Sequence, residues 1–85
     1  MKSYVSFSQK EIAKLDAIAQ KYDLELLLPP GYDNNINFPF YCVEDLKDDI
    51  LEMEELIADI VNNGFRTVLK KHSEGKEFID VIGRL

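Results

Sequence analysis

The chain has 85 residues, enough for one domain and one modest core, so residues 1–85 are read as a single unit. Hydrophobic residues make up 46% of it, and with a lone cysteine, Cys42, an intramolecular disulfide is excluded. The formal charge of −6 argues against direct nucleic-acid binding through the bulk field. No apolar run reaches the length of a membrane span, and the expected location is the cytoplasm.

The first predicted element is a helix over 8–22. Ser8 and Glu11 have the spacing of a capping box, Phe7 and Ile12 form a hydrophobic staple, and Ile12, Leu15, Ala19 and Tyr22 recur at three and four. The run Leu24–Leu28 is too short to classify by period, so strand and frayed helical turn both stay open. Pro30 and Gly31 suit the central positions of a type II turn. An aromatic loop follows over 29–42, carrying Tyr32, Phe38, Phe40 and Tyr41. Tyr32, Phe38 and Tyr41 are candidate partner contacts, weighed against the plainer reading that the loop aromatics anchor it in the core.

A second, longer helix is predicted over 43–62, because Val43, Leu46, Ile50, Met53, Ile57 and Ile60 are spaced 3-4-3-4-3. Asn62-Asn63-Gly64 would end it. In the tail, helical spacing favours further helices over 65–72 and 77–85, giving a mainly α, small helical bundle. The alternative is α+β, with a carboxy-terminal β-hairpin over 65–83.

Charge is distributed unevenly. Eight acids and one base fall between Val43 and Asn62, a net −7, and the remainder of the chain is +1. Asp45, Asp48, Asp49, Glu52, Glu55 and Asp59 follow spacings of three and four opposite the apolar seam. Such like-charge neighbours oppose a helix by about 0.2–0.5 kcal/mol per pair. The stripe is therefore either solvated, paired with tail bases such as Lys70, Lys71 and Arg84, or met by a basic surface on another protein. The leading expectation is the last: an acidic protein-binding module of inhibitor, immunity or antagonist type. Its carboxylates would occupy a basic groove in place of phosphates, as at the nucleic-acid site of a nuclease.

Other chemistry is thin. Asp33, Asn35, Asn37, Phe40 and Glu44 approach the spacing of a calcium loop, but Phe38 stands where glycine is required, so no metal is expected. His72 and Cys42 are each the single residue of their kind, far apart and without an oxyanion or cofactor motif; no enzyme activity and no cofactor are expected.

Tyr4-Val5-Ser6-Phe7-Ser8 and the capped helix with Glu11, Leu15-Asp16 and Ile18-Ala19 resemble the opening of ribbon-helix-helix repressors, over about a fifth of the chain. That resemblance implies a dimeric DNA-binding regulator as the second functional expectation. The sequence departs from it at Leu26-Leu27-Leu28-Pro29-Pro30, where the family's second helix begins. A third expectation is a subunit of a larger assembly, joined through the 43–60 seam.

Overall fold

The computed structural model describes residues 7–32, 37–46, 48–71 and 75–85, without the side chain of Asp45. Helix α1 (Gln9–Lys21) begins at the expected capping box: the Glu11 amide donates to the Ser8 hydroxyl at 3.2 Å, and the Ser8 amide to the Glu11 carboxylate at 2.8 Å. At its other end the Leu24 amide donates to the Ala19 carbonyl and the Asp23 amide to the Gln20 carbonyl. This is a Schellman closure, with Asp23 rather than glycine in the left-handed position at φ 57°. Strand β1 (Leu26–Leu27) follows directly. Pro30 and Gly31 then turn the chain: the Tyr32 amide donates to the Pro29 carbonyl, and Gly31 takes φ 89°, as a type II turn requires.

Strand β2 (Phe40–Cys42) leads into a short 3-10 turn at Glu44–Leu46 and then helix α2 (Ile50–Asn62). The expected continuous helix from 43 is overturned. Val43 still bonds to the sheet, its amide donating to the Glu77 carbonyl, and Asp49 is a new N-cap that accepts from the Glu52 amide. Gly64, at φ 93°, closes the far end of α2 and feeds strand β3 (Phe65–Lys71), which pairs antiparallel with β4 (Glu77–Arg84).

The protein is thus α+β, two helices and a four-stranded antiparallel sheet of order β1-β2-β4-β3, and not a mainly α bundle. The tail expected to form helices over 65–72 and 77–85 is a hairpin. The physical reason lies in β4. Ile79 and Val81 point to the core with period two, but Phe78 and Ile82 on the other face are apolar as well. With both faces apolar the alternation is hidden, and a helical spacing can be read into it.

Both helices cover one face of the sheet. The core joins Leu15, Ile18 and Ala19 of α1, Leu56 and Ile60 of α2, and Tyr41, Phe65, Ile79 and Val81 of the sheet. The buried Tyr41 hydroxyl donates to the Leu15 carbonyl at 2.7 Å, and no buried side-chain polar atom among the described residues lacks a partner. Val43 and Leu46 are buried in this same core, so the 43–60 seam is largely consumed internally; Ile50, expected within it, is 71% exposed.

A bulge sits in β4. Arg66 pairs with Gly83 but Thr67 with Val81, so Ile82 is the extra residue. The half-step it inserts turns Arg84 to the helix side, where it grips Glu11 with two parallel hydrogen bonds and lies 5.6 Å from the Phe7 ring centre. No described helix is long and apolar enough to cross a membrane.

Candidate functional site

Helix α2 packs through Met53, Leu56, Ile57 and Ile60, leaving Ile50, Leu51, Glu54, Glu55, Ala58 and Val61 on its outward side. Ile50 and Leu51 are 71% and 73% exposed. Two adjacent large aliphatics therefore stand out in the first turn of the helix, with Asp48 before them and Glu54 and Glu55 one turn on. Isolated exposed aliphatics are ordinary on protein surfaces. An adjacent pair inside a rim of carboxylates has the make-up of a contact patch, apolar at its centre and charged at its edge.

The structure divides the expected stripe. Asp48 and Glu55 are exposed, Glu52 is half-buried, and none has a described ion pair. Asp49 is occupied as the α2 N-cap. Asp45 lies in the 3-10 turn, and its side chain is outside the described part. Asp59 faces α1, where it accepts from Lys21 at 2.8 Å and from the Tyr22 hydroxyl at 2.5 Å. These two donors hold its carboxyl below the ordinary range, while burial and then the neighbouring Asp59 charge push the Tyr22 phenol up. Asp59 is a helix-to-helix tie and is withdrawn from the partner-facing set.

Nor do the tail bases serve the stripe. Lys70 pairs with Asp80 at 3.1 Å, Lys71 with Glu77 at 4.0 Å, and Arg84 with Glu11. The exposed acids of α2 are left facing solvent, without a described internal cation other than Lys21.

The loop aromatics separate too. Tyr41 is fully buried and hydrogen-bonded, so it is a core anchor and cannot meet a partner. Tyr32 is half-buried and lines a cleft with Phe7, Ile12 and Leu28 between α1 and β1. Phe38 is half-buried beside Phe40 and Phe78, in a groove of about 480 Å³ on the opposite face of the sheet. Sequence reasoning missed Ile50 and Leu51 as surface residues. The signal was present: Asp49-Ile50-Leu51-Glu52 is itself an N-cap spacing, and a helix starting there puts Ile50 and Leu51 in its exposed first turn instead of its middle.

Of the calcium-loop positions, Asp33 and Asn35 fall outside the described residues, as does His72, while Asn37 donates to the Pro30 carbonyl at 2.6 Å. No three His, Cys, Asp or Glu residues gather to hold a metal among the described residues. Tyr4, Val5 and Ser6, which carry the repressor resemblance, are also outside them; α1 is followed by strand β1. Comparison with protein-family models, with curated proteins and with solved structures found no match.

Proposed function

We propose that this protein is a binding module rather than an enzyme, an inhibitor- or antagonist-type protein that docks the outward face of α2 on a basic surface of another protein. The observation that carries this reading is the exposure of Ile50 and Leu51 inside the acidic rim. A merely solvated face has no use for two aliphatics at the start of its helix. An interface does: the aliphatic pair fills a dry pocket, and Asp48, Glu52, Glu54 and Glu55 meet cations around it. The partner is accordingly a protein with a shallow apolar pocket ringed by Arg and Lys, such as a groove that otherwise receives phosphates.

The test is to capture the partner from the organism that makes this protein and titrate it against three forms of the chain. For the native chain, affinity falls as salt rises, since exposed charges are screened over about 8 Å at physiological ionic strength. Glu54→Lys with Glu55→Lys should weaken binding at least tenfold and flatten the salt dependence. Leu51→Ser should weaken it without changing the salt slope. Folding stability is expected to stay within about 0.5 kcal/mol in both variants, because these side chains face solvent. Unchanged affinity in the folded variants overturns the reading.

A further inference from the structure

Strand β3 stands last in the sheet order β1-β2-β4-β3, so the backbone groups along its outer side have no strand partner among the described residues. Proteins keep such edges from pairing by shortness, proline, bulges or charge. β3 lacks the first three: it runs seven residues without proline, and the bulge at Ile82 belongs to its neighbour β4. What it carries is charge, as Arg66, Lys70 and Lys71 with no acid in the strand. The charge is also ordered. Val68 and Lys70 lie opposite Asp80 and Phe78 on the face turned from the helices, and Arg66, two residues before Val68, shares that face. Thr67 and Leu69, opposite the buried Val81 and Ile79, turn to the helix side. Val68 and Leu69 are 38% and 49% exposed, so both sides of the edge are open. Arg66 has no described ion pair, and the Lys70 side chain is 55% exposed beside Asp80.

We propose that β3 is the docking edge for an extended acidic segment of another protein, which adds to the sheet as an antiparallel strand. Centred on Val68, that segment sets one carboxylate against Arg66 and another against Lys70, with an apolar side chain between them over Val68. Its alternate residues meet Thr67 and Leu69 and are uncharged. Three observations select this occupant. First, the exposed row of cation, valine and cation at Arg66, Val68 and Lys70 is complementary to a row of acid, apolar residue and acid. Second, a copy of β3 centred on Val68 puts its Lys70 against Arg66, so like charges oppose self-pairing. Third, α2 packs on the helix side of β3 and carries the acidic excess. A slip of one residue turns the segment's acids toward α2, so the favourable register is the one that points them away. The edge takes the opposite charge from the outward face of α2 and is a separate contact.

The probe is the end-blocked peptide Glu-Ile-Val-Thr-Glu, whose last residue faces Arg66 in this register, titrated into the isotope-labelled full chain and followed by amide chemical shifts. Saturable shifts should appear along β3 and in its β4 partners, and Lys-Ile-Val-Thr-Lys should give none. Arg66→Glu, at an exposed site where the fold tolerates a carboxylate, should weaken the acidic peptide at least tenfold. Glu-Ile-Val-Thr-Lys should bind that variant in its place, because the charges opposite residue 66 are again complementary. The absence of saturable shifts at millimolar peptide, or shifts centred on another element, overturns the proposal. So does equal binding by the scrambled peptide Val-Glu-Glu-Thr-Ile, which has the same charge without the alternation.

Discussion

Glu11 carries three interactions with one carboxylate. It closes the capping box with the Ser8 amide, receives the Arg84 guanidinium in a two-bond fork, and thereby ties the start of α1 to the end of β4. From the sequence, only the capping role is visible, and Glu11→Ala is expected to be milder than Ser8→Ala. The structure reverses that order. Ser8→Ala should cost about 1 kcal/mol, for one N-cap acceptor. Glu11→Ala should cost about 2 kcal/mol, since a charge-assisted fork is lost as well and the Arg84 side chain is only 40% exposed. Chemical denaturation of the two variants checks the ranking. Chiefly the Arg84 hydrogen bonds hold the Glu11 carboxyl below its ordinary 4.5, so its contribution is full above that pH and is lost as pH falls through the lowered value. The stability gap between the native chain and Glu11→Ala should therefore be widest near neutrality and narrow below pH 4.5.

At the level of elements, the helices and turns with side-chain signals were legible and those set by the sheet were not. Ser8 and Glu11 announced α1, and Pro30-Gly31 announced a type II turn, because both are local chemistry. The start of α2 was misplaced by seven residues because Val43 and Leu46 are apolar for the sheet's sake and happen to continue the helical spacing. The hairpin was hidden by the two apolar faces of β4. The site was half legible: the acidic helix stood out by composition, but Asp59, drawn inward by Tyr22 and Lys21, and Tyr41, buried whole, look no different in sequence from their exposed neighbours. One local feature is open to improvement. Asp23 holds a left-handed conformation that glycine adopts freely, while Leu24 supplies the apolar contact of the closure. Asp23→Gly should raise stability by about 0.5–1 kcal/mol, read as a higher melting temperature with no change in helix content. A lower melting temperature would show that the Asp23 side chain contributes to the closure.

As a whole, the molecule gathers its excess acid along α2 in one layer, while the other face of the sheet mixes Phe40, Val68 and Phe78 with Arg66, Lys70 and Asp80. Between them runs β3, seven residues long and without a described neighbour along its outer side. Its sequence, Phe65-Arg66-Thr67-Val68-Leu69-Lys70-Lys71, places an aromatic, two β-branched residues and a leucine in a single extended stretch. Without its three cations that stretch is the kind that recruits identical strands without limit. Arg66, Lys70 and Lys71 are expected to act as gatekeepers that keep this edge from propagating. Replacing Arg66 and Lys71 by Thr leaves the Lys70–Asp80 pair in place and should turn a clear concentrated solution into one that forms thioflavin-positive fibrils on standing. A double variant that stays clear would assign the protection to the twist and bulge of the hairpin instead of its charge.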